Sequence, residues 1–250
     1  TARCPEFKKE EVREKAAKIL KAYSIDALVV LGGDGSFTGA KLLSKLGVKT
    51  VGIPGTIDND LVYTDFTIGF DTALNTVIDA IDKVRDTSTS HERVSILEVM
   101  GRDCGDLALY AGIAGGAEYI ITPEKGFSRD ELCKVILEGK RNGKMHNLIL
   151  LAEGVGGAQE LAEYVEGVTG IETRSTVLGH IQRGGSPTAT DRILASRMGA
   201  KAVDVLLEGK TSRVIGIRDN QIIDEDIDEA LALERKFDED LFELSEVISS

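Results

Sequence analysis

The amino-acid sequence predicts an α/β protein built on parallel-rich sheet flanked by helices. Two observations carry that expectation. Short apolar runs recur along the 250 residues as "DALVVL" (26–31), "VKTVGI" (48–53), "RVSILEV" (93–99), "EYIIT" (118–122), "NLILLA" (147–152) and "TRSTVL" (173–178). Segments with helical spacing separate them, and apolar character that is continuous rather than alternating belongs to strands covered on both faces.

Taken in order, the first run leads into a helix expected to open near Phe37. After the second, Ala73, Leu74, Val77, Ile78, Ile81 and Val84 recur at three- and four-residue steps, so a long helix with one buried stripe starts near Asp71. Ser128 with Glu131 fits a capping box, and Ser186 followed by Pro187 fits an N-cap with proline at the first helical position. The acidic stretch 224–247 has leucines at helical spacing and reads as packed helices with a solvated charged face.

Composition narrows the function. The chain is 42% hydrophobic, enough for a sizeable core and for two lobes. Its net charge of −12 repels polyanions and leaves no basic stripe for nucleic acid. Cys4, Cys104 and Cys133 are widely spaced and form no CxxC pair, which predicts reduced thiols in a cytoplasmic protein. Apolar runs are of strand length, so no membrane span is expected, and no signal peptide is visible. The chain starts at Thr1 rather than Met and is expected to be a piece of a longer protein.

In open parallel sheets ligands bind beyond the carboxyl ends of the strands. There the sequence carries "GGDGSFTGAK", "PGTIDND", "MGRDCGD", Glu153 with "GVGG", and "GHIQRGGSP". In "GGDGS", glycines can turn N–H groups toward an anion at a helix N-terminus while Asp34 holds a divalent cation on phosphate; a plain tight turn with a solvated Asp reads equally well. The spacing is neither GxGxxG nor the GxxxxGK[ST] loop. In "PGTIDND", repulsion between Asp58 and Asp60 raises the proton affinity of at least one and makes Asp58 the candidate general base, with Thr56 and Gly55 able to approach phosphate; an Asx turn with Asp60 capping the next segment is the structural alternative. Arg93, Arg102, Arg174 and Arg183 lie at or near strand ends, where guanidinium groups bind phosphate, although each alone also suits a surface ion pair. His180 can bond a substrate hydroxyl or cap a turn, and His146 reads as structural.

The blocks "GGDGS", "PGTIDND", "TIGFDTA", "RDTSTSHERVSILEVMGRDCGDLAL" and "ETRSTVLGHIQRGGSPTATDRILASRMG" together resemble the bacterial-type ATP-dependent 6-phosphofructokinases over essentially the whole chain. The resemblance implies a phosphofructokinase-like fold, with residues 1–69 and 182–232 in a nucleotide-binding lobe, 70–181 in a sugar-phosphate lobe, and 233–250 a C-terminal helix returning to the latter. It implies transfer of the ATP γ-phosphate to the carbon-1 hydroxyl of fructose 6-phosphate in cytoplasmic glycolysis, with magnesium. Asp58 would be the base, Asp60 its support, and Thr56 and Arg102 the groups on the moving phosphoryl. Arg3, Cys4, Gly33, Asp34, Gly35 and Ser36 match nucleotide contacts, Asp34 being the magnesium-associated aspartate. Met100, Gly101, Glu153, His180 and Arg183 match sugar-phosphate contacts, and Arg93 and Arg174 match arginines given to a neighbouring subunit's site. A homotetramer is implied, with ADP or phosphoenolpyruvate at an effector site matching Arg85, Gly116, Glu118 and Lys144, where Glu118 can also hold a metal. One lysine of that effector site falls on Asn142 here.

Gly35 and Gly55 stand where pyrophosphate-dependent members tend to have Asp and Lys, which favours ATP. Nothing here corresponds to the strand and second glycine-rich loop with which family members begin. Two rival readings stay open: a pyrophosphate-dependent or other sugar-phosphate kinase, and a non-catalytic fragment that retains sugar-phosphate or effector binding.

Overall fold

A computed structural model describes residues 4–89, 93–144, 146–235 and 237–249. In chain order its elements begin with α1 (Glu10–Ala22), β1 (Ala27–Gly32), α2 (Asp34–Ser44), β2 (Lys49–Thr56), β3 (Ile68–Gly69), α3 (Phe70–Thr89), β4 (Val94–Val99), α4 (Asp106–Gly115) and β5 (Tyr119–Ile121). They continue with α5 (Arg129–Arg141), β6 (Asn147–Ala152), α6 (Ala158–Thr169), β7 (Thr173–Val177), α7 (Ala189–Leu207), β8 (Arg213–Arg218), β9 (Gln221–Asp226), α8 (Ile227–Ala232) and α9 (Glu239–Ser249). The chain divides into two compact units, one from Thr1–Thr56, Leu61–Gly69 and Thr188–Lys236, the other from Ile57–Asp60, Phe70–Pro187 and Phe237–Ser250.

The first unit's sheet runs β1-β2-β8-β9, with β3 joined to β2. Its pairs are parallel except β8 with β9, a hairpin whose turn residues Asp219 and Asn220 both have positive φ, 50° and 61°. That is the two-residue turn whose twist matches the strands it joins, and Asp and Asn tolerate the conformation. One face is covered by α7 through Leu194, Met198 and Val205 against Val51, Ile53 and Ile215. Phe37, Leu61, Tyr63 and Ile227 pack together with Val214 in a second cluster.

The second unit's sheet runs β5-β6-β4-β7 and is parallel throughout. Val94 and Ile96 enter one core with α5 and α6, while Leu97 and Val99 enter the other with α3 and α4. Each such buried aliphatic side chain contributes about 1.5–3 kcal/mol. This is why the strands read as unbroken apolar runs. Of the stripe predicted for α3, Ala73, Val77 and Ile81 are fully buried, while Leu74, Ile78 and Val84 are partly buried at its margins. Among the described residues no helix is long and apolar enough to cross a membrane.

Three local expectations are corrected. The helix after "GGDGS" opens at Asp34, not Phe37. Thr188 rather than Ser186 caps α7, its hydroxyl accepting from the Asp191 N–H at 3.2 Å. Asp224, Glu225 and Asp226 end strand β9 instead of starting a helix. The Ser128 cap is present, accepting from the Glu131 N–H at 3.3 Å.

Asp224 lies within 3.2 Å of Lys201, 2.9 Å of Arg213 and 3.7 Å of Lys210. Burial opposes its ionisation, yet hydrogen bonds from Lys201 and Arg213 outweigh it and hold the carboxyl below the usual range. A depressed folded pKa gives stability that is present above the ordinary aspartate pKa and lost as pH falls through the folded value. Asp224→Asn is expected to cost about 1–3 kcal/mol near neutral pH, where the cations would lose a partly buried partner. Urea unfolding of both proteins at pH 7 and at pH 3 tests this: the gap should narrow at the lower pH.

Candidate active site

Strand β2 carries the first half of "PGTIDND". Thr56 is its last residue; its carbonyl accepts from Thr67 Oγ1 at 2.8 Å, and Gly55 and Thr56 pair with Ile68 and Gly69 of β3. Beyond Thr56 the chain enters the second unit, where Asp58 is buried at 5% exposure.

In that unit Arg102 Nε lies 3.1 Å from Asp58 Oδ2, and its Nη1 lies 3.7 Å from Asp60 Oδ2. Two carboxylates and one guanidinium expected from separate motifs are thus brought together. Asn59 and Arg102 both hold left-handed backbone, at φ 53° and 55°. For residues other than glycine this conformation costs on the order of 1 kcal/mol or more and gathers where surrounding contacts enforce it. Asn59 Nδ2 donates to Asp106 Oδ2 at 2.9 Å, tying the loop to the first turn of α4. Neither Asn59 nor Asp106 was singled out from sequence; an Asn between two aspartates, able to take positive φ, was the available signal for the first.

The loop after β4 is built tightly. Gly101 has φ +137°, and a Cβ there would stand 2.4 Å from the Cys104 carbonyl oxygen. Glu153 Oε1 accepts from the Gly101 N–H at 3.2 Å and the Arg102 N–H at 2.8 Å, so this carboxylate shapes the loop that presents Arg102. Glu124, also missed in sequence, accepts from the Gly105 N–H at 2.9 Å. Met100 and the exposed His180 and Arg183 belong to the same unit.

Arg93 and Arg174 do not join this cluster. They stand at the amino ends of β4 and β7, the opposite end of the parallel strands from Met100, and they face Glu172 at 3.9 and 2.8 Å. Of the effector-matching residues, Arg85 donates to the carbonyls of Gly115 and, at 2.9 Å, Gly116. Glu118 accepts from the Leu148 N–H at 2.6 Å, and the Lys144 N–H donates to Gly139 at 2.9 Å.

In the first unit β1 ends at Gly32, and Gly33 caps α2 without a side-chain hydrogen bond. Ser36 and Phe37 N–H groups return to the Gly33 carbonyl, at 2.9 and 3.1 Å. A helix start with no side-chain cap suits an anion. A Cβ at Gly33 or Gly35 would meet nothing within 4 Å, whereas one at Gly55 would lie 3.5 Å from the Gly32 nitrogen, across the same turn. Tyr63 packs edge-on against Phe37 of α2, and burial pushes its phenol far above the usual range, with Asp34 and Glu225 adding to the rise. Cys4 is exposed, its thiol 3.7 Å from Glu6; Arg3 lies outside the described residues.

Asp34 is exposed at the first position of α2, and among the described residues no three His, Cys, Asp or Glu side chains converge as a metal cage. An exposed carboxylate at a helix start is a donor of the kind magnesium uses, since that ion keeps most of its waters and is held by one or two carboxylates with substrate phosphates.

The chain is 74% identical over 250 residues to the ATP-dependent 6-phosphofructokinase of Clostridium botulinum (strain Alaska E43), covering 100% of this chain and 78% of that one. It is 76% identical over 249 residues to ATP-dependent 6-phosphofructokinase 1 of Clostridium perfringens (strain 13), with the same coverage. The structure of phosphofructokinase from Saccharomyces cerevisiae superimposes with a TM-score of 0.86 at 39% identity, over 92% of this chain and 36% of that one. Pyrophosphate-dependent phosphofructokinase from Marinobacter aquaeolei does so at 0.83 and 26% identity, over 92% of this chain and 66% of the other. With the family model for phosphofructokinase also matching residues 1–206, the chain belongs to the phosphofructokinase family.

Proposed function

We infer that this chain is an ATP-dependent 6-phosphofructokinase, moving the ATP γ-phosphate to the carbon-1 hydroxyl of fructose 6-phosphate. The observation that carries the reading is the Asp58–Arg102–Asp60 cluster at 3.1 and 3.7 Å, in a chain 74% identical to a protein named for that activity. In the proposed reaction Asp58 accepts the hydroxyl proton as the new O–P bond forms and the β–γ bond of ATP breaks, leaving ADP. The Arg102 guanidinium then neutralises charge on the equatorial oxygens in a mode that phosphoryl transfer commonly uses. Asp60 steadies the guanidinium, and Glu153 fixes its backbone.

Gly33, Gly35, Ser36 and Thr56 are assigned to the polyphosphate, with Cys4 toward the adenine end. Asp34 would hold magnesium, which when bound neutralises phosphate charge. Met100, Gly101, Glu153, His180 and Arg183 are assigned to fructose 6-phosphate. Arg93 and Arg174 are assigned to a neighbouring subunit's site in a homotetramer. Arg85, Gly116, Glu118 and Lys144 are assigned to an effector such as ADP or phosphoenolpyruvate. The setting this reading implies is cytoplasmic glycolysis, where the buried Cys104 and Cys133 stay reduced.

ATP is favoured over pyrophosphate because Gly35 and Gly55 leave the turn between β1 and α2 uncovered. Turnover with fructose 6-phosphate and ATP beside pyrophosphate tests this, and a preference for pyrophosphate would overturn it. Gly35→Asp has room for its side chain and adds a negative charge at a helix start, so the fold should hold. The KM for ATP is expected to rise about tenfold or more, since a carboxylate there repels the polyphosphate.

A further inference from the structure

Strands β4 and β7 pair in parallel with Glu98 opposite Val177, and the Leu178 N–H donates to the Glu98 carbonyl at 3.1 Å. The next step of such a ladder would take the Met100 N–H to the carbonyl of residue 178. The chain leaves the strand instead: Leu178 is helical and Gly179 has φ +53°. The vacant place is taken by a side chain. Gln182 Oε1 accepts from the Met100 N–H at 3.1 Å, and Gln182 Nε2 donates to the Gly179 carbonyl at 3.0 Å. Gln182 is 1% exposed while its neighbour Ile181 is 63% exposed, so the segment buries its amide and leaves its aliphatic side chain outside. Burial of this kind is retained only where every hydrogen-bonding group finds a partner.

We propose that Gln182 is a positioning residue whose side-chain amide stands in for the missing peptide of the β4–β7 ladder and locks the Met100–Arg102 turn to the His180–Arg183 turn. The kinetic part of the proposal rests on the reading above, in which both turns hold fructose 6-phosphate. Loss of the amide leaves the buried Met100 N–H without its acceptor and lets the two turns shift independently. Displacements well under 1 Å at such a site already weaken binding and rate.

Two substitutions in the full chain separate positioning from bulk stability. Gln182→Met keeps length and volume but makes neither bond. Gln182→Glu keeps an acceptor for Met100 and, while ionised, cannot donate to Gly179. In Gln182→Met, hydrogen exchange at the Met100 amide should quicken about tenfold or more with the amides of Ile96 and Leu97 unchanged. The KM for fructose 6-phosphate should rise about tenfold, with that for ATP within about twofold. Gln182→Glu should fall between the two and approach the unmodified protein, compared at each pH, as acid restores a proton that Gly179 can accept. Unchanged exchange at Met100 would overturn the proposal, as would quickened exchange with fructose 6-phosphate kinetics unaltered, or an equal loss for both substrates. If the unmodified chain phosphorylates no fructose 6-phosphate, the functional reading falls by itself, and exchange at Met100 alone decides the positioning role.

Discussion

Replacing Asp58 by Asn is expected to lower turnover by about 10²–10⁴-fold, the usual contribution of a positioned general base. Asn is nearly isosteric, so the buried site keeps its volume and the KM for ATP should stay within about twofold. The change isolates proton transfer: the amide can contact the carbon-1 hydroxyl but cannot take its proton. A coupled assay for fructose 1,6-bisphosphate reads the result, and Asp58→Ser gives a second measure free of the amide. Turnover within threefold of the unmodified chain would remove Asp58 from the base role.

The second large effect belongs to Arg102. Losing a cation aimed at charge that develops in the transition state typically costs about 10²–10³-fold in turnover. The backbone dictates the choice of variant, because Arg102 sits at φ 55° and a β-branched replacement would add strain there. Arg102→Asn accepts that conformation and removes the guanidinium, whereas Arg102→Lys keeps charge but loses the planar fork. We expect Asn to show the full loss and Lys a smaller one, with the Asn variant also losing about 1–3 kcal/mol of stability because the buried Asp58 carboxylate gives up its guanidinium. Equal activity in all three would show that the contact with Asp58 at 3.1 Å is only structural.

Much of this architecture was legible in the sequence because the strands announce themselves. "NLILLA" is β6 to the residue, and the runs giving β1, β4, β5 and β7 are misplaced by at most one residue at either end. The hairpin of β8 and β9 was not read, since the acidic triplet Asp224–Asp226 joins smoothly to the helical spacing that follows. What distinguishes it is pairing: Asp224 is held by Lys201 and Arg213, residues a linear pattern cannot bring together. The site divides in the same way. Chemistry visible as residue type at strand ends was found, as with Asp58 and Arg102. Glu124 and Gln182, which meet backbone groups, and Asn59, which meets the Asp106 side chain, were not, because their partners are fixed only by the fold.

Strand order also constrains how the polypeptide acquires its shape as it leaves the ribosome. All four strands of the second sheet lie between Val94 and Val177, so that layer can close as soon as they emerge. The first sheet must wait, since β8 inserts beside β2 only after Arg213 has been made. During that interval β2 lacks its β8 partner along Val51 and Gly52, and exposed strand edges of this kind invite mispairing. Slow or chaperone-assisted steps in biosynthesis should therefore concentrate in the first layer, whose completion depends on a hairpin translated after every strand of the second.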